Sequence, residues 1–193
     1  MDNISVFIDE IVKNLVEFGP FGGFFLVILE ALLPILPLGV IVGLNMLSFG
    51  NVFGYLLSYV ATICGSMFCF CFFRYVVKDK FLGWFSKKNQ EVIGKWMMKL
   101  TDIKFTTLVV IFSLPITPSS ILNIAGGISN ISIKKYFLSL LVGKSAMLLF
   151  FGYVAVSFVD SLKDPINFIK VGILILGAYL VSKVVERLVK VEK

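Results

Sequence analysis

Histidine is absent from this chain of 193 residues, and charge is scarce: Asp, Glu, Lys and Arg make up 16% of it. No charged residue falls between Glu30 and Arg74, and none falls within residues 105–133. Without histidine there is no imidazole metal centre, no His-based triad and no HExxH motif. The three cysteines, Cys64, Cys69 and Cys71, lack CxxC spacing. They read as small packing residues on an apolar helix, so neither a metal nor another cofactor is expected. A soluble domain carries about one-quarter charged residues. This chain is 58% hydrophobic with a mean hydropathy of +0.96, which points to the bilayer as its solvent. The first 19 residues hold one base, Lys13, against Asp2, Asp9, Glu10 and Glu17. That is the reverse of a signal peptide's basic start, so the first apolar stretch is expected to stay in the protein. The net charge of +6 then fits cytoplasmic loops facing anionic lipid heads rather than a nucleic-acid partner.

Proline is also rare, with six in the chain, yet four of them form two copies of one pattern. Residues 33–37 read Leu-Pro-Ile-Leu-Pro and residues 114–118 read Leu-Pro-Ile-Thr-Pro. Proline has no N–H and clashes with the preceding turn, so each copy breaks a helix. Broken backbone at membrane depth is tolerated only inside protein or beside a water-filled cavity. Paired broken segments in corresponding halves are a sequence pointer to a transport site.

Around these breaks the chain divides as follows. Residues 1–19 form an amphipathic interfacial helix, with Ile4, Phe7, Ile8, Ile11, Val12, Leu15 and Val16 at helical spacing, ended by Gly19-Pro20. A membrane domain over 20–160 contains a hairpin (21–48), a span (52–76), a basic cytoplasmic segment (77–104), a second hairpin (105–133) and a second span (136–158). A span needs about 20 apolar residues. The basic segment sets seven lysines against Asp79, Glu91 and Asp102. Its Val92, Ile93, Trp96, Met97 and Leu100 form a helical stripe, and Trp84 and Trp96 suit headgroup level. It is either a lipid-surface helix or a connecting helix packed on the bundle. A C-terminal transmembrane helix (166–185) and a basic tail (186–193) complete the chain.

Charge selects the topology. If 105–133 crossed the membrane once, the basic segment would lie opposite both Lys134–Lys135 and the basic tail. If it dips in and returns, all three lie inside, as the positive-inside rule favours. An offset of 81 residues superposes the two proline patterns. It also aligns Ser48 with Ser129, Tyr55 with Tyr136, Ser58 with Ser139 and Phe70 with Phe151. The expected architecture is an all-α integral membrane protein. Its core is an inverted repeat of re-entrant hairpin plus transmembrane helix, flanked by the amphipathic and C-terminal helices. The C-terminus is expected in the cytoplasm and the N-terminus outside. Three spans and two hairpins make a thin bundle, compatible with a homodimer.

Several residues are candidates for function. Glu30 is the only acid inside an apolar stretch, and a charge at the bilayer centre costs roughly 2.5–3.5 kcal/mol on insertion scales. It is either a proton-coupling carboxylate beside the first break or a glutamate near the water line. Lys144 lies some 13 Å into its span at ~1.5 Å per residue, beyond easy snorkelling, and can meet a lipid phosphate or Glu30. Arg74, near the end of its span, can snorkel to headgroups or take part in transport. Thr117, Ser119, Ser120 and Asn123 can satisfy backbone freed by proline or bind a headgroup. Pro34, Pro37, Pro115 and Pro118 shape the breaks. Gly126 and Gly127 permit tight turning or close helix approach. Ser145 adjoins Lys144, but neighbours on a helix diverge by about 100° and form no dyad, so an enzyme is not expected.

The order Glu30-(x)3-Pro34-(x)2-Pro37, Gly50-(x)3-Gly54 and Arg74 is followed by Pro115-Ile-Thr-Pro118-Ser119. Then come Asn123-Ile-Ala-Gly126-Gly127, Phe137 and Gly143-Lys144. Across about residues 15–160 this resembles the DedA superfamily, most closely its VTT-domain branch of SNARE-associated Golgi proteins. The resemblance implies a multi-pass membrane protein, here of a bacterial plasma membrane, with two facing re-entrant hairpins. It also implies movement of a phospholipid or polyprenyl-phosphate headgroup between leaflets, as a flippase or scramblase, with membrane lipids as partners. The family commonly places an arginine about three residues before the second-hairpin proline. Here that position is Phe112, and Lys144 can supply the missing charge. Two other readings compete: a proton-coupled carrier of a small solute, and a membrane-homeostasis scaffold that transports nothing.

Overall fold

The computed structural model describes residues 2–33, 37–78, 80, 100–115 and 119–163, with isolated positions between 172 and 183. Pro34, Thr117, Pro118, both tryptophans, most of the expected last span and the basic tail lie outside the described residues.

The described residues contain helices and no strands. Helix α1 (Asp2–Leu32) is two helical segments that meet at Gly19, whose φ 70° and ψ −178° are non-helical: the first segment ends there and the second starts at Pro20. Glycine tolerates that left-handed φ, and proline fits a first helical position, where an N–H would have no partner anyway. Helix α2 (Leu38–Phe49) follows the first break. Gly50 (φ 86°) then turns the chain into α3 (Asn51–Phe72), which runs on through a π-helical turn at Phe73–Val77. Helices α4 (Phe105–Ser113) and α5 (Ser119–Ile128) flank the second break, and α6 (Ile133–Lys163) completes the order.

Among the described residues, three segments are long and apolar enough to cross a membrane: Glu10–Leu32, Asn51–Val77 and Ile133–Val159. The latter two coincide with the spans expected at 52–76 and 136–158. The first is divided by the bend. Its part beyond Gly19 and the 12-residue α2 each reach only about 20 Å, short of a ~30 Å hydrocarbon core.

The helices pack reciprocally. The first arm of each half lies on its own long helix, α1 on α3 and α4 on α6. Of the second arms, α5 lies on the other half's long helix, α3, while α2 lies against both α3 of its own half and α6 of the other; α3 and α6 also meet. The arms of the first pair, α1 and α2, also run antiparallel against each other: Asn45 Nδ2 donates to the Gly23 carbonyl (3.4 Å). Arms α4 and α5 barely touch each other. Two apolar clusters result. Val27, Ile41, Val42, Met147 and Leu148 belong to one, and Phe70, Leu108, Phe112, Tyr136 and Leu140 to the other.

These contacts refine the internal correspondence. A side chain at Gly65 would strike Ile28 and Ala31, and one at Gly143 would strike Val109 and Phe112. The first arms therefore correspond at an offset of 81, but the long helices correspond at 78. Asn45–Ser58 (3.0 Å) and Asn123–Tyr136 (2.6 Å) repeat the same 78-residue relation. Tyr136 is thus the counterpart of Ser58 rather than of Tyr55.

Burial is inverted relative to a soluble protein. Phe18, Phe21, Phe25, Val52 and Tyr75 are exposed, whereas Glu30, Asn45, Thr62, Ser66, Asn123 and Lys144 are buried. Water as solvent would favour the opposite distribution. The backbone approach at Gly143 yields a direct test. Gly143→Leu is expected to destabilise the protein by about 1–3 kcal/mol through overpacking. Val142→Leu, on the exposed face, should leave the detergent-phase melting midpoint unchanged.

Candidate functional site

Glu30 and Lys144 are the only charged side chains buried among the described residues. They come from different halves. Glu30 lies one turn before the first break, and residue 34, being proline, has no N–H for the Glu30 carbonyl. Lys144 sits mid-way along α6, immediately after the close approach at Gly143. Its Nζ donates to Ser119 Oγ, at the start of α5, and lies 3.2 Å from Met147 Sδ. Glu30 Oε2 is buried without a hydrogen-bond partner. No ion pair joins the two, and the ammonium spends its hydrogen bonds on a hydroxyl and a thioether. An acid and a base held this way in an apolar interior leave each other's desolvation incompletely offset.

Asn123 organises the surroundings. Its Nδ2 donates to the Ala31 carbonyl (3.3 Å), one of the orphan acceptors at the end of α1, and its Oδ1 accepts from the Tyr136 hydroxyl (2.6 Å). One amide thus joins α5 to α1 and α6 beside Glu30. Ser120 is buried with its Oγ unpartnered, as are Thr62 and Ser66 on α3. Ser66 is the counterpart of Lys144 in the first half. Tyr59 and Tyr55 brace the crossing by donating to the Leu141 and Ser145 carbonyls (3.0 and 3.3 Å).

Arg74 belongs to another location. It is half-buried, its guanidinium stacks 4.5 Å from the Phe70 ring centroid, and it donates to the carbonyls of Gly126, Gly127 and Ser129. It caps the C-terminus of α5 from a different helix, the end where a cation is favoured. Lys78 adds a bond to the Ser129 carbonyl (3.4 Å) and one to Asn130 Oδ1 (2.5 Å). Gly126 and Gly127 serve close approach: a Cβ at either would strike Tyr136, Phe70 or Phe73. Pro37 and Pro115 border the two breaks at the ends of α2 and α4. Phe112 is a core residue, packed edge-on to Tyr136 at 5.3 Å.

The structure joins Lys144 to Ser119 and Asn123 to Ala31 and Tyr136, buries Glu30 and Ser120 without a partner for Oε2 and Oγ, and places Arg74 at the other end of α5. Sequence reasoning missed Thr62, Ser66 and Tyr136. Ser58, Thr62 and Ser66 stand four residues apart, a small-polar stripe on one helical face that carried the signal.

Residues 36–157 match the VTT domain. The chain belongs to the VTT-domain family. It is a membrane protein of the DedA superfamily, similar to two bacterial proteins. It is 29% identical over 178 residues to the "Uncharacterized membrane protein YhjE" of Bacillus subtilis, covering 92% of this chain and 85% of that one. It is 28% identical over 132 residues to the "Uncharacterized protein YqeD" of the same organism, covering 64% and 62%. No solved structure matches.

The cap geometry makes a prediction for this VTT-domain protein. Arg74→Met removes three hydrogen bonds from the end of α5, although Ser129 keeps its bond from Lys78 and Gly126 its bond from the Ser129 hydroxyl, and should destabilise by about 1–3 kcal/mol. Arg74→Lys should recover part of that loss, measured by thermal unfolding in detergent.

Proposed function

We propose that the chain moves lipid headgroups between leaflets, as a flippase or scramblase for a phospholipid or polyprenyl phosphate. The observation that carries this reading is the pair of broken helices with Glu30, Lys144 and three polar residues of α5 gathered beside the breaks inside an otherwise apolar bundle. The arms flanking each break are too short to cross a bilayer, which favours re-entrant hairpins entering from opposite faces. A headgroup passing between them meets Ser119, Ser120, Asn123 and Lys144 while its tails stay in lipid. An apolar groove of about 500 Å³ in the elbow of α1, lined by Leu15, Phe18, Phe25, Leu29 and Leu32 among others, suits an acyl chain. The cluster is closed off in this conformation. The loosely associated α4 and α5 are the arms that part to admit a headgroup. On this reading the C-terminus lies in the cytoplasm and the N-terminus outside.

The unpartnered Glu30 carboxylate supports a second reading, a proton-coupled carrier of a small solute. Reconstituted liposomes separate the two. Fluorescent lipid should reach the opposite leaflet with the wild-type protein present, and both Glu30→Gln and Lys144→Met should abolish this while inserting normally. Gradient-driven uptake of a water-soluble tracer without lipid movement would favour the carrier. Neither activity, with a stably co-purifying protein, would favour a scaffold.

A further inference from the structure

The last turn of α3 is wider than an α-helix, and α5 ends against it. Across Phe73–Val77 the Lys78 N–H bonds the carbonyl of Phe73, five residues back, where an α-helix would reach back four. Such π-helical turns are rare and concentrate at functional sites. The local sequence opposes an irregular turn only weakly, since Tyr75, Val76 and Val77 are aromatic or β-branched and lose rotamer freedom in a helix. α5 closes on the turn from one side. A Cβ at Gly127 would come within 2.6 Å of the Phe70 carbonyl oxygen and 2.8 Å of Phe73 Cβ. From within the turn Arg74 donates to the Gly126, Gly127 and Ser129 carbonyls. Lys78, one residue past it, donates to the Ser129 carbonyl and to Asn130 Oδ1. Hydrogen bonds from a cation are stronger than neutral ones. The other side of the turn is exposed, Tyr75 by 69% and Val76 by 54%.

We propose that this turn is a register switch that holds or releases α5. In the wide form Arg74 and Lys78 both face the end of α5. When the Lys78 N–H takes the Arg74 carbonyl instead, the turn closes as an α-helix. Upstream, α3 is fixed by Gly65 against α1 and by Phe70 stacked 4.0 Å from Tyr136. The residues beyond the turn therefore rotate, by about 100° with a shift of ~1.5 Å, the step of one helical residue. Lys78 is carried off Ser129 and Asn130, and Arg74 is drawn from its three carbonyls. α5 then loses the cations that cap its C-terminus. It packs chiefly on α3, so an uncapped α5 separates from the bundle more readily. Conversely, an undocked α5 removes the bonds that favour the wide turn, so turn and arm share one equilibrium. Tyr75 and Val76 rotate from an exposed face, which keeps the conversion from disturbing the core. The switch goes beyond the lipid-moving reading, because it is set by α3 and α5 whatever passes between the hairpins.

Hydrogen–deuterium exchange of the full-length protein in lipid nanodiscs tests the switch without measuring transport. The double variant Tyr75→Ala, Val76→Ala raises helix propensity in the turn and removes only exposed side chains. It favours the α form, so exchange at the α5 amides 123–128 should speed up severalfold while that of α6 amides 140–150 stays unchanged. A turn that only supports α5 would, once made more helical, leave α5 as it was or protect it further, and either result overturns the switch. Deletion of Tyr75 takes out the extra residue and enforces the α form. It should speed α5 exchange by about tenfold, and unchanged α5 exchange in this variant also overturns the switch. Val52→Ala, at an exposed position at the start of α3, should leave α5 exchange unchanged. The same acceleration there would mark general loosening of the helix and would count against the switch. Since no lipid movement is read, failure of this test leaves the lipid-moving reading standing, and liposomes that show no lipid movement leave the switch standing.

Discussion

A lysine and a glutamate confined to an apolar bundle constrain everything around them. Each charge has lost its water, and an isolated buried charge costs several kcal/mol. The fold keeps both by placing them on helices that must pack: Lys144 beside the tight α4–α6 approach at Gly143, and Glu30 one turn before the break that α3 supports through Gly65. Ser119 and Asn123 on α5 then connect Lys144 with the end of α1. Their incomplete pairing is the feature that sets this site apart from an ordinary structural ion pair.

Reciprocal packing explains how such a site is held. Each second arm rests on the long helix of the opposite half, α2 also on that of its own, so the two halves share one packed interior. α5 is held at both ends by cations from different helices, Lys144 at its start and Arg74 with Lys78 at its finish. The first half closes its arms on one another and the second does not. This asymmetry distinguishes two otherwise corresponding halves.

Much of this architecture was legible in the sequence because the bilayer imposes simple rules. The lack of charge from 31 to 73 located α2 and α3, and the proline pairs located both breaks. Glu30 and Lys144 stood out because ions in apolar runs are costly. Other features were not legible. Arg74 sits where snorkelling is expected, and only the placement of α5 reveals three carbonyls waiting for it. The offset of 81 came from the proline patterns and holds for the first arms. Helix periodicity hides a three-residue shift, close to one turn, so only the packing at Gly65 and Gly143 fixed the value of 78 for the long helices.

A double-mutant stability cycle on Glu30 and Lys144 tests the central claim most directly. Glu30→Gln, Lys144→Met and the double variant would be unfolded thermally in one detergent. If the two charges form one electrostatic unit, each single variant leaves the other ion buried alone. The double variant should then be more stable than the two single losses predict, by about 1 kcal/mol or more. Strict additivity would contradict the account, since it would mean that the two groups are buried near one another without acting together.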